Sequence, residues 1–281
     1  MDGEVRRLKK SWMKACVWLL FLLIVATGST YAWFTFSGMS STNVTPMAGT
    51  VSEGDAVLLI SSAATGPFDK TCGLVLTGDP DSLSPLSTAD LQQFYQATAQ
   101  NRQGISVLYE STDADEAAVH GIVYLQCRNA ACDVYFNKEE LNLGSDAQAL
   151  AAMRLGLKIT LNGQTQTFLF KLDDLSSGGN IQSVQTIPRT HAVVSSISSD
   201  GRAVYVDDPA QEIGSYLAVP AGAGSSFTRG GQRLVRLAAD EIATVEYWLY
   251  MEGCDEQCSN AAQNRNSQLR LAFAGTDVGN E

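Results

Sequence analysis

Apolar and polar residues alternate with a period of two along much of this chain, the spacing that lets a strand bury one face and wet the other. Over 153–161, Met153, Leu155, Leu157, Ile159 and Leu161 alternate with Arg154, Gly156, Lys158 and Thr160, which predicts a half-buried strand. Asn162-Gly163 follows and accepts positive φ, and Phe168 and Phe170 resume the alternation, so the two runs read as a β-hairpin. A second hairpin is expected from 192–197, the turn Ser199-Asp200-Gly201, and 203–206. Further strands are expected at 56–61, 73–77, 105–110, 119–126, 134–137, 242–251 and 269–274. The 242–251 run is apolar on both faces except at Thr244 and Glu246, which predicts a central, doubly buried strand. Its Trp248 and Tyr250 face either the core or a partner.

One segment has another period. In "STADLQQFYQATAQ" the hydroxyl and acid residues can cap a helix, and Leu91, Phe94, Tyr95 and Thr98 recur at three- and four-residue steps. A helix is therefore expected over 88–100. The Gly-, Ser- or Pro-rich stretches 78–87, 175–179 and 220–231 read as loops. Together these elements predict an all-β fold: an antiparallel β-sandwich with jelly-roll or Greek-key connections and one or two inserted helices.

The first residues form a different kind of element. Arg6, Arg7, Lys9, Lys10 and Lys14 precede an uncharged, mostly apolar run over 15–26, the arrangement of an export signal's n- and h-regions. The apolar part is short of the roughly 20 residues a spanning helix needs, although counting on to Phe36 reaches that length. Thr30 and Ala32 place small residues where a signal peptidase requires them, so cleavage is expected between Ala32 and Trp33. A retained N-terminal anchor helix is the alternative. The expected organisation is 1–32 signal or anchor, 33–55 extended segment, and 56–281 sandwich domain.

The stretch "STYAWFTFSGMSSTNV" with the later Ala48-Gly49-Thr50 resembles the start of TasA- and camelysin-type exported bacterial proteins, matching at Thr30, Tyr31, Ala32, Trp33 and Phe34. The resemblance covers about the first 50 to 60 residues. It implies a dedicated signal peptidase, a jelly-roll-like sandwich and a place in extracellular fibres or matrix. Camelysin is regarded as a metallopeptidase, but this chain supplies no motif for that activity.

Charge points the same way. The chain carries 19 Lys and Arg against 30 Asp and Glu; without residues 1–14 it keeps 14 against 28, a net charge of −14. Such a body repels phosphate backbones, so no nucleic-acid partner is expected. Contact with a membrane is expected only through residues 1–36 before cleavage.

Candidate chemistry is sparse. His120 and His191 stand far apart and outside any H-E-x-x-H pair, and no metal or other cofactor is expected. Ser11-Trp-Met-Lys14 matches S-x-x-K only formally, inside the basic leader, and Gly222 and Gly224 lack the third glycine and the context of a dinucleotide loop. The acid pairs Asp79/Asp81, Asp113/Asp115, Asp173/Asp174 and Asp207/Asp208 read as a solvated face, with Ca²⁺ chelation in loops as the rival. Cys127 and Cys132 flank a short loop between strands, and Cys254 and Cys258 lie just past another; both pairs are expected as disulfides, with a four-thiolate zinc site as the alternative. Cys72 has no local partner.

These readings leave a non-enzymatic secreted or surface structural protein, with a surface binding module for a wall polymer, glycan or calcium as the alternative and a peptidase behind both. Self-assembly by addition of an N-terminal strand, with Trp33, Phe34 and Phe36 seeking a groove, is the expected mode of partnering.

Overall fold

The computed structural model describes residues 47–52, 55–77, 83, 85–100, 107–114, 118–142, 150, 152–172, 192–220, 227–228, 231–255, 258 and 270–278. Thr30, Ala32, Trp33, Phe34, Phe36 and His191 lie outside them. The strands run in chain order β1 (Met47–Ser52), β2 (Val57–Ser61), β3 (Thr71–Gly73), β4 (Leu76–Thr77), β5 (Pro85–Ser87), β6 (Phe94–Gln100) and β7 (Val107–Thr112). There follow β8 (Val119–Arg128), β9 (Cys132–Asn137), β10 (Met153–Leu161), β11 (Gln164–Lys171), β12 (Ala192–Ile197) and β13 (Ala203–Asp207). The series ends with β14 (Gln211–Glu212), β15 (Leu217–Pro220), β16 (Phe227–Thr228), β17 (Val235–Leu237), β18 (Ile242–Glu252) and β19 (Arg270–Asp277). A 3-10 helix is also described, at Ile213–Tyr216.

Two sheets face each other. One has the order β16-β15-β9-β19-β1-β3 with β17 beside β9; the other has the order β14-β11-β10-β18-β5-β6-β7, with β8 also against β18 and itself flanked by β2 and β4. Between them lies the main core, to which the first sheet contributes Ala48, Val134, Phe136, Leu271 and Phe273 and the second Leu58, Ile60, Val123, Leu125, Leu155, Leu157, Val245 and Leu249. The all-β sandwich is therefore present. Its sheets are mixed, however: β1 runs parallel to β19, β15 to β9, β5 to β18 and β14 to β11. Long connections bring these strands together from distant parts of the chain, and only such connections allow parallel neighbours.

The predicted hairpins form as the turn residues dictate. Asn162 and Gly163 both take positive φ, 51° and 77°, joining β10 to β11 in antiparallel register. Gly201 at φ 78° turns β12 into β13. Strand β8 alternates buried and half-buried residues along its length, and β18 changes from alternating to buried on both faces beyond Tyr247.

The second burial face of β18 comes from the segment expected to be a helix. Thr88 Oγ1 does accept the Leu91 N–H (3.0 Å), and Asp90 Oδ1 accepts those of Gln92 (2.9 Å) and Gln93 (3.2 Å), as capping side chains would. Leu91 then enters the left-handed region at φ 58°, which ends any helix there, and the chain continues as β6. Its side chain lies over Gly156, where a Cβ would come within 2.5 Å of a Leu91 methyl. Leu91 and Phe94 reach the same cluster, with Leu86, Leu169, Trp248 and Tyr250, so their three-residue spacing reflects a shared packing site across a turn. No α-helix forms over 88–100.

Two other boundaries move. Met47–Ser52, expected to belong to an extended N-terminal segment, is an interior strand of the first sheet, held between β19 and β3 with the Thr50 hydroxyl donating to the Leu58 carbonyl (2.8 Å). Pro85–Ser87, inside an expected loop, pairs with both β18 and β6.

Candidate functional site

The outer face of the second sheet carries a buried polar cluster at one end. Arg154, on β10, lies in register between Lys171 of β11 and Tyr250 of β18, and only 1% of its surface is exposed. Its Nη2 meets Asp255 Oδ2 at 2.7 Å and Asp208 Oδ2 at 3.6 Å, and its Nη1 donates to the Met153 carbonyl at 3.1 Å. Lys171 Nζ reaches Asp208 from the other side at 3.9 Å. The alternation that put Arg154 on the polar face of β10 was correct; that face is covered here.

Glu252 ends β18 within the same cluster and is fully buried. Its Oε1 accepts the Cys254 N–H (3.0 Å) and the Ser87 hydroxyl lies against the same carboxyl, while Oε2 has no hydrogen-bond partner among the described residues. Burial pushes this carboxyl up to about 8, with Asp208 adding to the rise; Ser87, Arg154 and the Cys254 amide oppose it without prevailing. One guanidinium thus sits among three carboxyls, and it is turned toward two of them. Burial works against the charge of Arg154 too, but Asp208, Asp255 and Glu252 outweigh it and raise its pKa.

Beyond Glu252 the cluster becomes aromatic and sulfur-containing. The Cys254 thiol contacts the Tyr109 hydroxyl (3.2 Å) and the Ser87 hydroxyl (3.6 Å). Burial and the neighbouring Glu252 lift the thiol well above its ordinary value, so it stays protonated and a poor nucleophile. Cys258 belongs to the main core, whereas Cys254 packs with Tyr95, Tyr109 and Val194. The expected Cys254–Cys258 disulfide is accordingly not formed: the turn after β18 sends the two side chains to different clusters, and both thiols are free.

Cys127 and Cys132 are joined, with Cα atoms 6.4 Å apart, tying β8 of one sheet to β9 of the other. Cys72, on the short strand β3, is free and half-buried, and burial pushes its thiol up to about 11. His120 stacks on Trp248 with ring centroids 4.8 Å apart, and its Nδ1 lies 3.4 Å from the Thr77 hydroxyl. Among the described residues no three His, Cys, Asp or Glu side chains converge as a metal site. No described helix is long and apolar enough to cross a membrane.

The acid pairs divide. Asp79, Asp81, Asp115, Asp173 and Asp174 lie outside the described residues, and Asp207 and Asp208 behave oppositely. Asp207 is exposed, whereas the Asp208 side chain is 2% exposed and engaged by two cations, which corrects its reading as solvated. Arg154, Glu252 and Ser87 were not singled out as site residues because nothing local marks them; they are adjacent only through strand pairing. Glu246 did stand out as an acid in an apolar run, and it meets Lys158 on the neighbouring strand at 3.1 Å.

No family model matches the chain, and no curated protein does. Among solved structures, a candidate lipoprotein from Bacteroides ovatus aligns over 82% of this chain and 71% of its own, at 10% identity and a TM-score of 0.15. That likeness is too slight to carry an argument about fold or function.

Proposed function

We propose that this chain is an exported, non-enzymatic structural protein of the cell surface or matrix, able to assemble through its N-terminal segment. The observation that carries the reading is the Cys127–Cys132 bridge, buried in the core and spanning the two sheets. Such bonds persist in oxidising exteriors, and the basic, then apolar, leader over residues 1–26 fits delivery to one. The polar groups of the described cluster support a structural role as well: they are turned toward each other inside the fold, and the one thiol among them is held protonated.

Trp33, Phe34 and Phe36 precede β1 by about a dozen residues, so removing Trp33 to Ser41 leaves the β1 strand in place. The test is to secrete the chain, sequence the N-terminus of the exported form, and image it by negative stain with and without that segment. Material beginning Trp33-Phe34-Thr35 that forms filaments, which the deletion abolishes while the monomer stays folded, supports the reading. An intact Met1 on membrane-bound protein overturns the cleavage, and monomers alone at high concentration overturn the assembly.

A further inference from the structure

The hairpin β12–β13 is a two-stranded sheet of its own, with no backbone ladder to any other described strand. A hairpin of this kind is marginal in isolation and must be held by its contacts. Those among the described residues are specific. Ala192, Val193 and Val194 are buried, whereas the turn residues Ser199 to Gly201 are exposed. The Val194 N–H donates to the Ser87 hydroxyl (2.9 Å), and the Tyr95 hydroxyl donates to the Ser195 carbonyl (3.1 Å). Tyr205 meets Tyr109 edge-on, and Asp208, one residue past β13, enters the Arg154 and Lys171 ion pairs.

Three of these anchors, Ser87, Tyr109 and Asp208, border Glu252. Ser87 touches both Val194 and the Glu252 carboxyl, so one hydroxyl links the hairpin backbone to that acid. The described groups facing Glu252 are Arg154 from β10, Ser87 from β5, Tyr109 from β7, Tyr250 from its own strand, Cys254, Asp255 and Cys258 from the following turn, and Asp208 from the end of the hairpin. Arg154 is committed to Asp255 and Asp208. A charge on Glu252 would sit beside Asp208 and share Arg154 with two other carboxyls, in a site where Glu252 is fully buried.

We propose that the β12–β13 hairpin is a detachable flap whose docking is tied to the protonation of Glu252: the neutral carboxyl keeps the flap seated, and its ionisation releases it. Release breaks no ladder to another described strand, and it uncovers Tyr95, Tyr109 and Cys254, which share a cluster with Val194. The direction in pH follows from the docked and open environments. A water-exposed glutamate titrates near 4.5 and the docked one near 8, so docking retains a proton. Docking is strongest below about pH 4.5, weakens as pH rises through the interval, and levels off above about 8. Between pH 5 and pH 9 the open fraction is expected to rise by about a hundredfold or more.

The test is hydrogen exchange on the intact chain in single-unit steps from pH 4 to pH 9, corrected for the chemical exchange rate, comparing amides of β12–β13 with those of β18. The expected result is a protection loss in the hairpin of about a hundredfold from pH 5 to 9, with hairpin amides at pH 9 exchanging at least about tenfold faster than those of β18. In Glu252→Gln the pH-dependent loss should vanish. Hairpin and β18 amides exchanging at one common rate throughout would overturn the proposal, as would a folded Glu252→Gln variant with the unmodified chain's pH profile. Should that variant not fold, the unmodified chain decides: loss confined to the interval between about 4.5 and 8 upholds Glu252 as the group, and loss outside it refutes the assignment.

Discussion

Replacing Arg154 by Met keeps the side-chain length and apolar volume and removes only the charge and its donors. At 2.7 Å from Asp255 and 3.6 Å from Asp208, the guanidinium contributes about 6 and about 5 kcal/mol of attraction at an effective dielectric constant near 20. Much of that is offset by the dehydration of Arg154 itself, which the variant no longer needs. What remains is the cost of keeping two buried carboxylates without the guanidinium between them, with Lys171 still 3.9 Å from Asp208. Breaking one partner out of a buried ion pair destabilises proteins by about 3 to 5 kcal/mol, and the same loss is expected here. Urea unfolding at pH 7, followed by the fluorescence of the buried Trp248, measures it. Neutralising both acids in Arg154→Met/Asp208→Asn/Asp255→Asn should recover most of the deficit. A loss below about 1 kcal/mol for the single variant, the level of an exposed pair, would refute the argument. So would a triple variant no more stable than the single one.

Two further outcomes test the packing and the covalent tie. Gly156→Ala places a methyl against Leu91 and should destabilise the fold by about 1 to 3 kcal/mol in urea unfolding, with Leu91→Ala added to it costing less than Leu91→Ala alone. Non-reducing peptide mapping should link Cys127 to Cys132 and find Cys72, Cys254 and Cys258 alkylated as free thiols, and replacing the bridged pair with Ser should lower stability by about 2 kcal/mol.

The parts of the fold that could be read from the sequence are those whose cause is local. Alternation in 153–161, the Asn162-Gly163 turn and the apolar faces of 242–251 each specify a strand or hairpin without help from elsewhere, and each forms. The 88–100 segment failed because its cap residues and its spacing were real but served another purpose. Thr88 and Asp90 satisfy a turn, and Leu91 and Phe94 share a cluster across it. The polar cluster was hidden for a related reason. Arg154 looked like the wet side of a strand because alternation says which face a residue is on, but not what covers that face. Cys127 and Cys132 could be paired from their flanking strands, whereas Cys254 and Cys258 could not, since a turn past the end of a strand is free to send its side chains to different clusters.

The parallel pairing of β1 with β19 sets a timetable as well as a shape. Met47 is matched to Arg270, about 220 residues further along the chain. A ribosome or translocase delivers the first of these strands long before the second, so one flank of β1 waits through nearly the whole of synthesis. Non-local closure of this kind also slows folding once the chain is complete, because the large loop must be closed before its contacts give any return. During that interval β1 offers unsatisfied backbone groups to any neighbouring nascent copy. The crowding of such chains at their point of emergence, more than the stability of the finished sandwich, then sets how often the first sheet closes within one molecule.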